Sequence, residues 1–502
     1  MFCLPEEYIT LLHIGHLLLY LHTRCPCIVG FVNSLDFSYA AESKGGPLPK
    51  ARVVDNLPIA PFRFSCYHRP MKHYDVVIVG SGPAGLGAAF FLLKHAPEMK
   101  ILILEKESIS TGGLRNDCKM NFTYPIGFPE DLWDRETAEA HLAEVEAVLR
   151  PQCMPVANIE TYRKRAEKLG VVLLEIRQAH LGTDGGIKLI KRLVAELTDR
   201  GVEFSFGEEM VDVDPERKVV ITDRGQYSYD HLIVAPGRKG FRFLQELMDR
   251  LGVAYVDHVV DIGLRLEMKE EHYPIVRDYY DPKFLFPDKV RTFCTNSRRA
   301  YVVQERYTAR DGSTYYSVNG HAYSRAAREN GLVNFALLRT ITLTEPLASG
   351  QLYAEMLGQQ AVLLGGGRPL MQRVGDFRLG KRSRPETFNE DLYDFPPTLP
   401  TCTPGDISLA MPAKILRSIW RAMKMLDTIC PGVLHPSTIM YYPEIKLYAN
   451  RPTFMDDYFQ VRAGIYLIGD GAGTSRGITA AWASGIRAAR SILAATGRTP
   501  TL

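Results

Sequence analysis

Three glycines at fixed spacing are suited to holding a phosphate group. They lie in residues 80–85, which read GSGPAG. Glycine permits a tight turn at Gly80 and a close backbone approach to a pyrophosphate at Gly82, and a helix beginning there attracts the negative charge. Glu105 comes 25 residues after Gly80, where a carboxylate can accept hydrogen bonds from a ribose. The pattern predicts a dinucleotide site, and a glycine-rich turn without a ligand is the alternative.

The elements needed to position this turn surround it in the sequence. Residues 75–79 read DVVIV, a run rich in β-branched side chains that is typical of a buried parallel strand. An apolar helical stretch at 86–93 follows the glycines, and a second apolar strand at 101–104 ends in the acid. Strand, glycine turn, helix and second strand together support a dinucleotide site far better than the glycines alone.

Three later segments favour FAD among the dinucleotides. Residues 111–115 (TGGLR) place a second pair of glycines after the second strand, and residues 230–237 (DHLIVAPG) form a strand that runs into a glycine turn. Residues 464–472 (GIYLIGDGA) place an aspartate at a strand end, and a helix opens at about residue 476. Taken singly, each segment is also compatible with ordinary strand–turn–helix packing.

In this order the segments resemble FAD-dependent oxidoreductases of the glutathione-reductase-like type, which have two dinucleotide-binding folds. The resemblance implies that Asp470 contacts the ribityl and phosphate region of the flavin. It also implies that the backbone around Gly477 and Ile478 faces the pyrimidine oxygen of the flavin ring, where a positive helix end stabilises the reduced flavin. The residues expected to bind FAD are Gly80, Gly82, Pro83, Ala84, Gly85, Glu105, Lys106, Gly112, Gly113, Leu114, Arg115, Val211, Ala235, Gly237, Gly469, Asp470, Gly477 and Ile478.

A closer resemblance is to a poorly characterised family of bacterial FAD-dependent dehydrogenases, over roughly residues 74–493. The segments that carry it are 112–117 (GGLRND), 261–267 (DIGLRLE), 290–294 (VRTFC), 318–321 (VNGH), 372–373 (QR) with 376–377 (DF), and the ending 469–485. The family implies a redox flavoenzyme and assigns no substrate. One departure is the stretch 295–299, which reads TNSRR where a turn containing Pro or Gly is expected.

Polar side chains beyond the second glycine pair are candidates for proton transfer, which must accompany hydride transfer. Cys118 and Lys119 follow those glycines closely. Cys294 is a candidate because its segment matches the dehydrogenase family. His180 and His321 are comparable candidates as acid or base, with the simpler alternative that His180 only precedes a helix. The sequence does not separate these five residues.

Two features of related enzymes are missing from the sequence. Disulfide reductases carry a cysteine pair after the second strand, whereas only Cys118 lies there, so a dithiol relay between sequence neighbours is excluded. The glycines at 365–367 follow a helical pattern at 352–364 and are interpreted as a helix C-cap rather than a second phosphate site. NAD(P)H would therefore have to act as electron donor without a dedicated binding domain.

These patterns predict an α/β fold in which a Rossmann-type FAD-binding domain carries an inserted α+β substrate domain. The FAD-binding domain is expected at 71–238 and 457–502, and the inserted cap domain at 239–456. Residues 1–70 are interpreted as a leader that is disordered or belongs to an over-long gene model, with a weak membrane anchor as the alternative.

Within the insertion the sequence predicts several strands, at 259–268, 300–304, 315–318 and 333–343. The tyrosine pairs at 279–280, 315–316 and 441–442 are interpreted as one core and one surface residue each, with walls of a flavin pocket as the alternative. Residues 385–404, rich in Pro and Thr, are expected to form a loop or lid. The basic run at 381–384 (KRSR) is interpreted as a solvated face, with steering of an anionic substrate as the alternative.

Composition and charge limit the classes of function. Of 502 residues, 46% are hydrophobic and 23% charged, as in an ordinary globular protein. The net charge of +3 is too small to favour a nucleic-acid or acidic-membrane partner. We therefore expect a small-molecule substrate or redox partner, no nucleic acid and no membrane. A flavin-dependent RNA-modifying enzyme and a non-catalytic scaffold on the same fold are the alternatives.

The cysteine content bears on compartment and metal binding. Nine cysteines in a chain of this length do not form a disulfide framework, so a reducing compartment, the cytoplasm, is expected, with membrane association through the leader as the alternative. No cysteine and histidine spacing matches a standard zinc motif, and no metal is expected.

Overall fold

The computed structural model describes residues 71–110, 113–323, 328–389, 395–447 and 449–498, all of which belong to one structural unit. The predicted leader at 1–70 and Gly112 lie outside the described residues. None of the helices formed by the described residues combines the length and apolar composition that a bilayer span requires.

The strands and helices follow one another in two runs. The first half contains β1 (Lys72–Val79), α1 (Pro83–His95), β2 (Ile101–Glu105), α2 (Gly113–Asn116), β3 (Lys119–Asn121), α3 (Arg135–Leu149), α4 (Glu160–Glu167), β4 (Val172–Leu174), β5 (Gln178–His180), α5 (Gly182–Asp199), β6 (Glu203–Phe206), β7 (Met210–Asp214), β8 (Val219–Thr222), β9 (Gln226–Val234) and α6 (Phe241–Leu251). The second half contains β10 (Tyr255–Val256), β11 (Val259–Lys269), β12 (Lys283–Phe286), β13 (Val290–Ser297), β14 (Ala300–Thr308), β15 (Thr314–Ala322), β16 (Leu332–Thr342), α7 (Gly350–Leu364), β17 (Leu370–Arg373), α8 (Val374–Arg378), β18 (Thr403–Pro404), α9 (Ala413–Ile429), β19 (Ile439–Leu447), β20 (Arg451–Pro452), β21 (Gln460–Arg462), β22 (Ile465–Leu467) and α10 (Ile478–Ala495).

The first sheet is the parallel core of a Rossmann-type fold. Its order is β21-β22-β9-β1-β2-β6, and the antiparallel hairpin β7–β8 continues from β9. Strands β22, β9, β1, β2 and β6 are parallel. Strand β1 is buried on both faces, with Val76 and Ile78 in one apolar cluster and Val77 and Val79 in another. Burial on both faces explains why its sequence is a continuous apolar run, and the predicted α/β fold is confirmed.

Helices α1 and α10 cross closely over one face of this sheet. A Cβ atom at Gly87 would lie 2.5 Å from the carbonyl oxygen of Trp482, and one at Gly485 would lie 2.1 Å from that of Ala84. The two helices can approach this closely only because these positions are glycines. The contact brings the first and last described helices together, and with them the two ends of the cofactor-binding segments.

The second sheet is mainly antiparallel and runs β18-β17-β19-β11-β16-β13-β12-β4. Its central strand β11 has a strict alternation. Every second residue from Val260 to Met268 is apolar and packs with helices α7 and α9, whereas Asp261, Arg265 and Glu267 point to the other face although they are fully buried. The sheet therefore has one face covered by helices and one face that carries buried charge.

The strands predicted in the insertion are present, with β14 and β15 longer than expected. The helix expected at 352–364 is α7, and the amide of Gly365 caps it by bonding the carbonyl of Ala361. Strand β4, at 172–174, pairs with β12 of the second sheet although the sequence placed it in the first domain. It is too short and too exposed to show its partner in its own sequence.

The interpretation of the tyrosine pairs was wrong for two of the three. Both residues are buried at 279–280 and at 441–442, because the surroundings cover both faces of those segments. Residues 385–389 and 395–404 form a short 3₁₀ turn, irregular loop and strand β18, and Phe388 and Phe395 join a small apolar cluster with Tyr441.

Candidate functional site

Four predicted cofactor segments meet at one edge of the first sheet. Strands β22, β9, β1 and β2 are neighbours and parallel, so their carboxyl ends lie at the same edge. These ends lead into the residues around Asp470, Gly237, Gly80 and Glu105 respectively. In open α/β sheets ligands bind at this edge, outside the carboxyl ends of the strands.

The turn after β1 has the geometry that a pyrophosphate requires. Gly80 has φ +101° and lies against the next turn, since a Cβ atom there would be 2.3 Å from the carbonyl oxygen of Ala235. Gly82 is the N-cap of α1, and a Cβ atom there would meet nothing within 4 Å. The free space at Gly82 faces a helix N-terminus whose first amides have no helical partner.

The carboxylate of Glu105 is held in place at the end of β2. It accepts hydrogen bonds from the amide of Ser81 at 3.0 Å, the hydroxyl of Ser81 at 2.7 Å and the amide of Glu107 at 3.1 Å. Of the other two residues predicted here, Lys106 lies 3.6 Å from Glu209, and Val211 is half-exposed at an irregularity of β7.

Asp470 lies at the opposite end of this sheet edge and holds the residues before α10 in place. Its carboxylate accepts hydrogen bonds at 3.0 Å from the amide of Gly477 and the hydroxyl of Ser475, and it lies 3.6 Å from the guanidinium of Arg238. Gly477 has φ +87° and is the N-cap of α10, with open space where a Cβ atom would lie. A Cβ atom at Gly113 would lie 3.1 Å from Ile478, so Gly113 lies against this helix end.

These residues fit an FAD molecule. Gly82 and Gly477 each leave open space at the start of a helix, and these two helix ends lie along one edge together with two anchored carboxylates. One helix end suits a diphosphate, and the other suits the electron-rich side of a flavin ring.

A cluster of polar side chains forms around Asp117, a residue that the sequence analysis did not select. Its carboxylate lies 3.1 Å from the ammonium of Lys119 and 2.8 Å from Nε2 of His180. Lys119 and His180 are direct cross-strand partners in the β3–β5 pair. The ring of His180 also stacks on Tyr280 with ring centres 4.7 Å apart. The candidates Lys119 and His180 are thus brought together.

Cys294 joins the same cluster through an irregularity in β13. The pairing of β13 with β16 shifts between Phe293 and Asn296, and Cys294 has φ +49°. Its sulfur lies 3.7 Å from the Lys119 ammonium and 3.7 Å from the Asp117 carboxylate. Lys119 also donates to Oδ1 of Asn296 at 2.8 Å and to the carbonyl of Thr295. A β-bulge of this kind re-aims a side chain towards a site.

Charge interactions in the cluster outweigh the cost of burial. Burial alone would raise the pKa of Asp117, but Lys119 and the hydrogen bond with His180 hold that pKa well below its usual range. Burial would lower the pKa of Lys119, and the nearby Asp117 carboxylate instead holds it above its usual range. Both groups are therefore ionised at neutral pH. Burial also raises the pKa of the Tyr280 hydroxyl.

This cluster lies beside the flavin end of the proposed FAD site. Strand β3, which begins at Lys119, ends at Asn121, whose carbonyl accepts a hydrogen bond of 2.5 Å from Thr479 in the first turn of α10. Gly127 also approaches α10, since a Cβ atom there would lie 2.3 Å from the carbonyl of Arg476. The cluster and the helix end are thus joined by one short strand.

The structure places the other two candidates differently. Cys118 is fully buried in the apolar cluster of the first sheet, and burial raises its pKa to about 12. His321, on β15, has its pKa lowered chiefly by burial, while the charges of Asp117 and Glu305 act in the opposite direction. His321 is thus electrically linked to the cluster without a direct hydrogen bond to it among the described contacts.

A buried ion network supports the segment that carries Cys294. Arg265 and Glu444, both fully buried, form two hydrogen bonds of 2.7 Å. Arg265 also donates to Asn334 at 2.7 Å and to the carbonyl of Cys294 at 3.2 Å. Gly320 covers this network, because a Cβ atom there would lie 2.3 Å from the Arg265 guanidinium.

The residues that sequence reasoning missed share one property: their partners are distant along the chain. Asp117 stands in the polar run 116–119, which was noticed for its neighbours, but its role depends on His180 and Cys294. Arg265 and Glu444 stand at polar positions within apolar strands, and that is the one local signal available for them.

A separate group of possible metal ligands lies at the amino end of β1, away from the cofactor edge. It consists of His73, Asp75 and Asp230, whose ligand atoms lie within 4.8 Å of one another.

Comparison with known proteins gives the following similarities. Residues 74–267 match the family model described as pyridine nucleotide-disulphide oxidoreductase. An uncharacterized protein of Methanosarcina barkeri, Mbar_A1602, is 41% identical over 61 residues, which are 11% of this chain and 15% of that protein.

Solved flavoprotein structures are more distant. Glycine oxidase from Bacillus cereus is 14% identical, with 84% of this chain and 95% of that one covered and a TM-score of 0.35. Glycerol-3-phosphate dehydrogenase from Bacillus halodurans, solved with FAD, is 12% identical, with coverage of 86% and 66% and a TM-score of 0.37. Thioredoxin reductase from Lactococcus lactis is 22% identical, with coverage of 33% and 35% and a TM-score of 0.19.

Proposed function

We propose that this chain, an FAD-dependent oxidoreductase whose residues 74–267 match the pyridine nucleotide-disulphide oxidoreductase family model, transfers a hydride between its flavin and a small-molecule substrate. The observation that supports the proposal most is the cluster of Asp117, Lys119, His180 and Cys294 beside the start of α10. A flavoprotein that only held its cofactor would have no need of a cluster with a buried ion pair at that position.

The backbone would fix the cofactor at both ends. Gly82 and the start of α1 would face the diphosphate, and Glu105 would accept hydrogen bonds from the ribose. At the other end, Asp470 holds Gly477, and the first amides of α10 would face the pyrimidine side of the flavin ring. Bound FAD supplies the two-electron hydride chemistry, and the protein supplies position and charge.

In the proposed reaction the side chains of the cluster have two different roles, transfer of a proton and stabilisation of charge. Lys119 stays ionised beside Asp117 and provides a fixed positive charge with little reorganisation. Asp117 orients the ring of His180 through Nε2, as a carboxylate does for a catalytic histidine. An imidazole ring can both donate and accept a proton, so we assign His180 the role of acid or base towards the substrate.

The proposed donor to the flavin is a reduced pyridine nucleotide. Because the described cysteines are all free and only Cys294 lies in the cluster, a dithiol relay has no place in the proposed reaction. A reduced pyridine nucleotide would then supply the hydride with no protein disulfide between it and the bound FAD.

The test uses the full-length protein under anaerobic conditions. A purified sample should show a flavin absorption band that bleaches on titration with NADH or NADPH. A His180→Gln variant should keep the band and slow substrate turnover, whereas an exposed His73→Gln control should change neither. A colourless protein that does not bind added FAD would overturn the proposal. Retained FAD that no reductant bleaches would point to the scaffold alternative.

A further inference from the structure

Three exposed leucines lie in adjoining segments: on α7, just after α8 and shortly before α9. Leu363 is 81% exposed, Leu379 is 69% exposed and Leu409 is 67% exposed. We refer to these three residues as the leucine patch. Exposed leucines scattered singly need no explanation, but a group of them on one surface marks an interaction site.

The three leucines belong to adjoining segments. Gln360, one turn before Leu363 on α7, donates a hydrogen bond to the carbonyl of Leu409. The amide of Ile407, two residues before Leu409, donates to Oε1 of Gln372 at 2.9 Å. Nε2 of Gln372 in turn donates at 2.8 Å to the carbonyl of Lys381, two residues after Leu379.

Basic side chains border the leucine patch. Lys381 and Arg382 follow Leu379 after one glycine, and Lys414 and Arg417 lie on the exposed side of the first turns of α9, the helix that follows Leu409. We refer to these four residues as the basic rim; all four are exposed. No ion pair links any of the four to an acidic side chain in the ranges that the structure describes. The rim therefore presents its charge to solvent.

Acidic side chains in the same segments offset only part of this charge. Asp376 accepts a hydrogen bond of 2.6 Å from Ser383, and Asp406 accepts from the amide and hydroxyl of Ser408. Residues 374–386 and 405–417 together contain six basic residues and three acidic ones, Asp376, Glu386 and Asp406. Their formal net charge of +3 equals that of the whole chain, and a small total charge does not exclude a locally positive surface.

We propose that the leucine patch and basic rim dock the protein on an anionic lipid bilayer. Leucine side chains inserted at the level of the lipid headgroups, bordered by lysine and arginine facing anionic headgroups, are the chemistry of peripheral membrane binding. No membrane-spanning helix is needed for such binding. The proposal is independent of the reaction proposed above, and the charged face of the second sheet lies on the opposite side of that sheet from α7 and α9.

Two other occupants fit this surface less well. A second copy of the chain, joined face to face by a two-fold axis, would set each basic rim against an identical one. A nucleic acid would match the charge but would leave three exposed leucines against phosphate groups. Only an anionic bilayer matches both halves of the surface.

The test is flotation of the full-length protein with vesicles. Wild-type protein should float with vesicles of equal parts phosphatidylcholine and phosphatidylglycerol, should not float with phosphatidylcholine alone, and should be released by high salt. The double variant K381E/R382E should bind the anionic vesicles at least about 25-fold more weakly, from about fivefold for each lost cation. The double variant L379S/L409S should bind the anionic vesicles at least about tenfold more weakly.

Matched controls separate this surface from the rest of the chain. K188E/K191E changes two exposed lysines of α5, and Met455→Ser changes an apolar side chain that is 66% exposed; both should float like wild type. All variants should keep their far-UV circular dichroism, which shows that they are folded.

Two results would overturn the docking surface. If wild type failed to float with the anionic vesicles, the surface would not be a lipid site. Loss of transfer-RNA binding in K381E/R382E but not in L379S/L409S would then assign it to nucleic acid. If wild type and both surface variants floated equally well, residues 1–70 or another surface would carry membrane binding.

Discussion

At the scale of single residues, the candidate site depends on a buried ion pair in which each charge needs the other. The side chains of Asp117 and Lys119 are each only 12% exposed and lie 3.1 Å apart. Such a pair adds little net stability compared with apolar residues, but breaking it leaves one charge buried without a partner. Its retention at this position is therefore better explained by electrostatic work on the reaction than by stability of the fold.

Replacing Lys119 with Met tests that view. The change should slow flavin reduction or substrate turnover by about 10²-fold or more. Because Lys119 holds the pKa of Asp117 down, its loss should also raise that pKa, so the acidic limb of the pH–rate profile should move to higher pH. Lys119→Arg, which keeps the charge, should recover part of the rate. The control is Lys188→Met, which changes an exposed lysine of α5 and should leave the rate unchanged. An unchanged pH profile in Lys119→Met would show that Lys119 is only structural.

A second residue-scale prediction concerns stability in acid. His141 is 2% exposed, and burial lowers its pKa to about 4. His141 therefore takes up a proton at lower pH in the folded state than in the unfolded state. Its protonation does not affect the free energy of unfolding above the ordinary histidine range, and it lowers that free energy as the pH drops towards 4. The loss attributable to this one ring is about 3 kcal/mol.

Urea unfolding at several pH values measures this loss. A His141→Phe variant keeps an aromatic ring beside Trp133, whose ring centre lies 5.7 Å away, but cannot take up a proton. Its stability should fall less between pH 7 and pH 4 than that of wild type. Parallel curves for wild type and His141→Phe would refute the assignment.

At the scale of elements, the site is set by an irregularity between two strands rather than by any motif. The shift between β13 and β16 turns Cys294 towards Lys119, and the carbonyl of Cys294 is held by Arg265. Gly320 in the neighbouring strand β15 leaves the room that this arrangement needs. The bulge, the arginine and the glycine therefore act as one support for the cluster.

Gly320→Ala should break this support. Its Cβ atom would lie 2.3 Å from Arg265 and Asn296 and 2.4 Å from Asn334, distances that real atoms do not adopt. We expect a loss of about 3 kcal/mol in the free energy of unfolding, as for other overpacked buried positions. The matched change Gly225→Ala, where a Cβ atom meets nothing within 4 Å, should cost well under 1 kcal/mol. Equal urea midpoints for the two variants would contradict the account.

Elements with local signals were predictable from sequence, and those fixed by distant pairing were not. The strand, glycine turn and helix from Lys72 to His95 follow from β-branched residues, glycines and a proline at the helix start. The C-cap of α7 at Gly365 was predicted for the same reason. The pairing of β4 with β12 was not, because three residues carry too little pattern to select a partner across the chain.

The residues of the candidate site also fall into those with a local sequence signal and those that depend on distant pairing. The glycines and Glu105 were selected because backbone geometry leaves a mark on residue type. The cluster around Asp117 was selected only in part, since Lys119, His180 and Cys294 were named but the carboxylate that joins them was not. A carboxylate acquires that role only when β3, β5 and β13 come together, and nothing in its own neighbourhood shows this.

At the scale of the whole molecule, the cofactor would join segments that are far apart along the chain. The turn after β1 and the start of α10 are nearly 400 residues apart in sequence, but they follow parallel strands of one sheet that have only β9 between them. A ligand that contacts both binds only the folded chain and stabilises it by mass action. The gain is about 4 kcal/mol at a free concentration of 1,000 times the dissociation constant.

Two glycines of one turn separate binding of the cofactor from stability of the fold. Gly82→Ala places a Cβ atom in open space with an ordinary φ, so the protein without FAD should unfold at the wild-type temperature while its affinity for FAD falls at least about tenfold. Gly80→Ala forces a side chain to φ +101° and against the carbonyl of Ala235, so the same FAD-free measurement should show a clear loss of stability. Thermal unfolding with and without added FAD, together with fluorescence titration of FAD, gives both quantities. If Gly82→Ala bound FAD as tightly as wild type, the diphosphate would not lie at this turn, and the edge of the first sheet would lose its assignment as the cofactor site.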